Sequence, residues 1–378
     1  GTARGPLGAS ALKPHPRGGD ATDGVAWDGG FRFVPDDGPP RVATLLPDGT
    51  RRETPAPERF RRLLVAGTRL LADGPSGLRR FDPPRGFVPL REAPPALPFA
   101  HVNALAADGS RLWLGGFDGG VAVADPRASP LRAGAVPSGE AWGVNALLPL
   151  GGVLYAATLR GAFRVDGDDV RALEGAGAAF SLASTPSGLA IGYGPGVLLP
   201  ARRLLSAWHG LPGNQAYALA SDGDGLWVGT PTGLGRVERQ RVTERVLPGE
   251  GKLPHPWVTA LLSRPDGLWI GTYGGGIAVR RTGAAGAKWE SFPETRGLRV
   301  NAGALLALPD GRVCAGSHGS GVWCSDRARE RFARVDLPLP SPDVFSLAAF
   351  PREVPELLFA GTSEGLLRLP ADALPETR

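Results

Sequence analysis

Apolar residues in this chain come in short runs, broken every few positions by glycine, proline or aspartate. The stretches GLWVGTPTGLGRVE (225–238) and GLWIGTYGGGIAVR (267–280) each hold two runs of β-formers around a glycine-rich centre. That pattern predicts hairpins. No apolar run approaches the roughly 18 residues that a membrane helix needs.

One pattern recurs eight times between residues 61 and 370. A strand ending in an Ala-Leu-like pair leads to a Gly-containing turn, a strand reading LWxGT or a relative, a glycine-rich turn, and a third strand. The second strands fall at 70–74, 112–116, 154–158, 189–193, 226–230, 268–272, 313–317 and 359–363. They lie about 35 to 45 residues apart, the period of a four-stranded propeller blade. Small residues recur on the preceding strand, at Ala104, Ala146, Ala218, Ala260, Ala304 and Ser346. Blades converge at a central axis, so their first strands must carry little bulk. Further out the wedge between blades widens, and Trp113, Tyr155, Trp227, Trp269 and Phe359 share one position there. An aromatic ring buries roughly 150 to 250 Å², which suits blade-to-blade packing.

The expected fold is therefore all-β: a single β-propeller of about eight four-stranded blades. Seven blades is the alternative, because the repeat around Ile191 is short. The last repeat has chain for only three strands, and an open edge needs cover. The β-like runs at Gly24, Phe31 and Arg41 are the expected donor, so an N-terminal strand is expected to close the ring. The expected organisation is a flexible tail over 1–23, a closing segment over 24–60, propeller repeats over 61–370 and a C-terminal tail over 371–378.

Composition agrees with this picture. Of 378 residues, 56 are Gly and 38 Pro, and 42 % are hydrophobic against 21 % charged. Such a chain can bury a large core and needs many tight turns. The net charge of +5 is carried almost wholly by arginine, in pairs scattered along the sequence. Nucleic-acid binding is not expected, since its footprint is a clustered basic stripe or a known module. The chain has no methionine and opens on a run rich in Gly, Ala, Pro and Arg. Two readings of that start stay open: a mature end exposed by removal of a secretion signal, or a trimmed chain end.

The stretch GLPGNQAYALASDGDGLWVGTPTGLGRVE (210–238) resembles the two-component regulator propeller repeat, with its GLP-x-N start, LWIGT strand and GGL turn. GKLPHPWVTALLSRPDGLWIGTYGGGIAVRR (251–281) is similar, with His255 and Pro256 near the usual Asn. The resemblance implies a ligand-binding sensor propeller of the cell envelope. In that family such propellers form the periplasmic sensory part of hybrid histidine kinases, followed by a further β domain, a membrane helix and a kinase. No kinase or membrane part is read in these 378 residues. The motif specifies fold strongly and function weakly, because propellers host many functions.

Catalytic signatures are sparse. HExxH and P-loop patterns are absent, and no cofactor or metal is expected. In a propeller, the loops leading to each first strand and the turns between second and third strands share one face around the channel. The first set carries His101, Asn103, Trp142, Asn145, His209, Asn214, His255, Trp257, Asn301 and Phe345. The second carries Asp118, Arg160, Tyr193, Tyr273, His318 and Glu364. Of these, His101, Asn103, Trp142, Asn145, His255, Trp257, Tyr273, Asn301 and His318 are the candidate binding residues. Rings that stack and amides that hydrogen-bond suit a polar ligand, sugar or peptide, or a protein partner. The plainer reading is that Asn and His tie turns together. The expected function is a non-catalytic recognition or interaction propeller, exported to the periplasm or beyond, as a sensor or as a subunit of an envelope complex. The alternative is a propeller enzyme, such as a lyase using the channel-mouth histidines.

The two cysteines give the sharpest expectation. Aligning RVCAGSHGSGVWCS (312–325) on the neighbouring repeat places Cys314 where Trp269 stands and Cys324 where Val279 stands. Both lie five residues from Gly319, directly opposite on one hairpin. Directly paired residues have Cα atoms about 4.5 to 5.5 Å apart, within disulfide range. A Cys314–Cys324 disulfide is expected, and with it an oxidising compartment.

Overall fold

The computed structural model describes residues 21–27, 30–35, 38–66, 69–74, 77–82, 86–89, 96–136, 143–175, 177–249, 251–282, 286–351, 354–371 and 374. These form nine antiparallel sheets, eight of four strands and one of three. Each of the eight sequence repeats folds as one sheet, and the N-terminal segment makes the ninth. Two compact units result: Gly1–Pro94 with Asp372–Pro375, and Pro95–Ala371 with Glu376–Arg378.

The first unit holds two sheets. One comprises Ala21–Trp27, Gly30–Pro35, Arg41–Leu45 and Arg51–Pro55; the other comprises Arg62–Ala66, Arg69–Gly74, Gly77–Asp82 and Gly86–Pro89. They share a core of Val34, Val42, Phe60, Leu63, Leu70 and Phe87. This corrects the expectation that a strand from 24–46 completes the last blade. Its three β-runs pair with one another and with Arg51–Pro55 instead. The physical reason is sufficiency: three strands plus a fourth at 51–55 satisfy their own ladders. Ala21–Trp27 also begins inside the expected tail, while residues 1–20 lie outside the described residues.

The second unit holds the other seven sheets, termed blades 1 to 7. Their inner strands are Val102–Asp108, Val144–Leu150, Ala179–Thr185, Ala218–Asp222, Val258–Arg264, Val300–Ala307 and Val344–Phe350. Each contacts the next, and that of blade 7 contacts that of blade 1, so the cycle is complete within this unit. Of the two blade counts read from the sequence, seven describes this cycle; the repeat at 62–89 belongs to the other unit. Blade 7 keeps three strands, Val344–Phe350, Leu357–Thr362 and Gly365–Pro370.

The LWxGT motif has a direct steric origin. Its glycine faces the first residue of the next blade's inner strand, at a distance that leaves no room for a side chain. A Cβ on Gly115 would lie 2.4 Å from Val144 Cγ1, and one on Gly271 would lie 2.5 Å from Val300 Cγ1. Gly229 meets Val258 and Gly316 meets Val344 in the same way. Between blades 7 and 1 the pair is Gly361 and Val102, 2.8 Å from the built Cβ to Cγ1. Where the motif's glycine is an alanine, Ala157, the facing residue shrinks from valine to Ala179, and both are fully buried. Bulk is thus exchanged across the seam.

Outside this seam the aromatic position fills the widening wedge in blades 1, 4, 5 and 7, whereas Tyr155 of blade 2, expected to do the same, is only partly buried. Trp227 and Trp269 are fully buried, and Trp113 and Phe359 nearly so. Each belongs to a core shared by two blades: Trp113 with Leu154 and Val165, Trp227 with Leu268 and Ile270, Trp269 with Val313 and Phe332, Phe359 with Leu112 and Leu131. In blade 6 the position falls to Cys314, which pairs directly with Cys324 and is disulfide-bonded to it. Both are buried, at 3 % and 0 % exposure, so the bond stands where five of the other six blades place a ring.

Two outcomes follow from this packing. Gly271→Ala should cost about 1 to 3 kcal/mol by overpacking the seam. Adding Val300→Ala should recover part of that loss, as the Ala157/Ala179 seam already does. Denaturant midpoints of the two single variants and the double variant give the coupling, and strict additivity would refute the interlock. For the cysteines, alkylation of the unfolded, unreduced protein should find no reactive thiol, and reduction should expose both. Reduced protein should keep the ring folded, because a short loop gives a modest entropic gain.

Candidate functional site

Two devices build the face that carries the candidate residues. The first is the Thr or Ser that ends five of the seven second strands. Thr158 Oγ1 donates to Gly161 O at 2.8 Å, Thr230 to Gly233 at 2.9 Å, Thr272 to Gly276 at 2.8 Å, Ser317 to Gly321 at 2.7 Å and Thr362 to Gly365 at 2.9 Å. All five hydroxyl residues are fully buried. The turns they brace hold Arg160, Tyr273, His318 and Glu364. Gly276 illustrates why glycine closes such a turn: its φ is 82°, and a Cβ there would lie 2.2 Å from Thr295 O.

The second device is a bulge at the start of the inner strands, where one residue is extra to the ladder. The residue at or beside that bulge often reaches across to the next blade. Asn103 Nδ2 donates to Val144 O at 2.6 Å, Asn145 Nδ2 to Ala179 O at 2.8 Å, and Asn301 Nδ2 to Val344 O at 2.7 Å. Thr259 Oγ1 does the same to Val300 O at 2.6 Å, and Ser181 Oγ to Ala216 O at 2.8 Å. Three of the candidate binding residues, Asn103, Asn145 and Asn301, therefore have their amide N–H committed to joining blades. The sequence could not separate this role from ligand binding, because the partner is a backbone carbonyl about 40 residues away in the chain.

The aromatic residues behave differently. Phe180 at the bulge of blade 3 and Tyr217 at the aligned position of blade 4 begin a continuous arc. Ring centroids are 4.7 Å apart for Phe180 and Tyr217, 5.5 Å for Tyr217 and Trp257, and 4.7 Å for Trp257 and Tyr273. The Arg299 guanidinium lies 5.7 Å from the Tyr273 ring centroid and ends the arc. Tyr273 N–H donates to Trp257 O at 3.0 Å, which ties the two elements together. His255 Nδ1 accepts the Trp257 N–H at 3.2 Å. Phe180, Tyr217, His255, Trp257 and Tyr273 are all partly exposed, and Arg299 is exposed. Burial pushes the Tyr217 hydroxyl above its ordinary pKa, so it stays protonated.

A second group gathers around blades 6, 7 and 1. The His101 ring lies between Phe117 and Phe345, with centroids 5.3 and 4.6 Å away. His318 Nδ1 stands 3.0 Å from Asp343 Oδ1. Burial lowers the His101 pKa, against the opposing pull of Asp118 and Asp343. Its Nε2 is sealed from solvent and has no hydrogen-bond partner. Beside it, Phe117 and Leu159 are half exposed, at 49 % and 48 %.

The structure thus brings His255, Trp257 and Tyr273 together in one cluster and sets His101 near His318 through Asp343. Trp142 lies outside the described residues. Sequence reasoning missed Phe180, Tyr217 and Arg299 as parts of the arc. For the first two a signal existed, because they align with Asn103 and Asn145 at the bulge. Tyr193, His209 and Asn214 serve local structure: Tyr193 is buried with its hydroxyl on Glu174 O, His209 Nδ1 contacts Ser206, and Asn214 Oδ1 accepts from Ala207 N. No group of three or more His, Cys, Asp or Glu among the described residues is placed to hold a metal ion.

Comparison with known proteins fits this geometry. Residues 210–232 match the two component regulator propeller family. The extracellular domain of the hybrid two component system BT3049 from B. thetaiotaomicron is similar in structure, with a TM-score of 0.61 at 15 % identity over 92 % of this chain and 61 % of that one. PorZ, a surface component of the type-IX secretion system of Porphyromonas gingivalis, gives a TM-score of 0.52 at 12 % identity over 92 % of this chain and 57 % of that one. The β-propeller domain of Myceliophteria thermophila Cps50 (Swd1) gives 0.57 at 15 % identity over 71 % of this chain and 96 % of that one. The chain therefore spans 61 % and 57 % of the first two proteins' lengths. No curated protein matches it. At these identities the likeness is one of fold: the chain is a β-propeller protein carrying a two-component regulator propeller repeat.

The environment of His101 predicts a pH dependence. Its folded pKa is depressed, so on acidification the unfolded chain takes up this proton first, near the ordinary imidazole value of about 6.5. Stability should fall as pH drops through that range. His101→Phe should keep the stacking and show a shallower loss of thermal stability between neutral and mildly acidic pH. Equal slopes for the two proteins would remove His101 as the cause.

Proposed function

We propose that this chain is an exported recognition propeller of the cell envelope, taking a ligand or protein partner at the face formed by the bulges and the second-to-third-strand turns. The observation that carries this reading is the arc Phe180–Tyr217–Trp257–Tyr273. Core aromatics of this fold sit one strand further out, as Trp227 and Trp269 do, and are fully buried. The arc is partly exposed instead, on residues that the blade-joining bonds do not require. Large rigid side chains presented in this way are the usual anchors of recognition surfaces. The disulfide supports export, since such bonds persist in oxidising compartments. The family match and the envelope proteins of like fold point in the same direction. Role as sensor and role as subunit of a larger envelope assembly both use such a surface.

Affinity capture from the native cell envelope tests this, comparing the natural protein with Trp257→Ala and with Arg171→Ala on an exposed outer strand. Trp257→Ala should weaken binding of whatever is captured by about 1 to 3 kcal/mol, as loss of a stacked anchor does. Arg171→Ala should leave it unchanged. Capture that survives Trp257→Ala undiminished would move the binding surface elsewhere.

A further inference from the structure

The arc has a chemical bias beyond its rings. Arg299 has no carboxylate partner among the described residues, and its one contact of note is the face of Tyr273. The hydroxyls of Tyr217 and Tyr273 have no hydrogen-bond partner there either, and neither is sealed from solvent. His255 accepts the Trp257 N–H on Nδ1, so a neutral His255 carries its proton on Nε2 and offers a donor. The groups along this half of the face are therefore a guanidinium, two phenols and an imidazole N–H. No carboxylate contacts any of them among the described residues. Of the carboxylates of the face, Asp343 is engaged by His318 and Asp118 acts on His101.

From this we infer that the arc binds a ring-bearing ligand that carries an oxyanion, with the rings on Tyr217 and Trp257 and the anion at Arg299. The inference rests on the recognition reading above and adds the charge of what is recognised. A cationic ligand is disfavoured, because Arg299 already holds the cation position over Tyr273 and would repel it. A neutral ligand would leave the Arg299 charge without a counterpart in the site, whereas an oxyanion takes a charge-assisted hydrogen bond from it. The rings could belong to a sugar or to an aromatic side chain; the shared requirement is the negative group beside them.

Calorimetric titration with two matched pairs separates these sources and tests the charge. One pair is trigalacturonate and its methyl ester, the other the tripeptide Gly-Gly-Trp as free acid and as amide. The acid of at least one pair should bind about tenfold or more tightly than its capped partner, the effect of one charge-assisted hydrogen bond. Arg299→Gln should erase that preference, and Trp257→Ala should weaken both members of the pair. Equal binding of acid and capped forms, a preference that survives Arg299→Gln, or no binding of any of the four at millimolar concentration would overturn the inference. Equal binding that is still lost in Trp257→Ala would leave the recognition reading standing while the charge requirement falls.

Discussion

The seam where a valine from one blade enters the gap left by a glycine of the preceding blade is the constraint on which the rest of this ring depends. It sets how near neighbouring inner strands can lie, and a single methyl group decides it, since a Cβ on Gly115 or Gly271 would come within 2.5 Å of the facing valine. Close packing makes such contacts intolerant of one added carbon. The Ala157/Ala179 seam shows that the constraint is on summed volume and not on glycine itself. Because the same valines offer their carbonyls to Asn103, Asn301 and Thr259, packing and hydrogen bonding are fixed at one place.

That coupling explains why the face of bulges and turns divides as it does. Wherever the bulge residue is Asn or Thr, its side chain donates a hydrogen bond to a carbonyl of the next blade. Blades 3 and 7 carry aromatics there, Phe180 and Phe345, and the following serine stands at the seam instead: Ser181 bonds Ala216 O, while Ser346 Oγ is buried without a partner. Blade 4 has Tyr217 followed by Ala218 and makes no such bond. Aromatic residues at this position are thus accommodated by moving the bond one residue on or by omitting it. The aromatic arc and the blade-joining belt are alternative uses of one position in the repeat.

Charge follows a similar division. Arginines lie over the aromatic residues of the wedge, as Arg236 and Arg280 do over Trp227, and pair with carboxylates such as Asp222 and Glu244. Exposed pairs of this kind contribute little stability individually. They do account for much of the arginine content without invoking a polyanion partner, and they make Arg299, over Tyr273 with no carboxylate beside it, stand apart.

The sequence by itself determined the hairpins, the eight repeats, the wedge aromatics and the Cys314–Cys324 bond, because each depends on residues within one repeat and on the fixed period of a strand. It could not determine which repeats close into a cycle, since that depends on Gly361 meeting Val102 across some 260 residues. Nor could it show that 24–46 would pair within its own sheet. The candidate face was legible as a list of positions, but not as a site. In the sequence Asn103 and Trp257 look alike, and only the fold gives Val144 O to the first and the rings of Tyr217 and Tyr273 to the second. The reason is physical: only the seam between blades brings such a distant carbonyl or ring within reach.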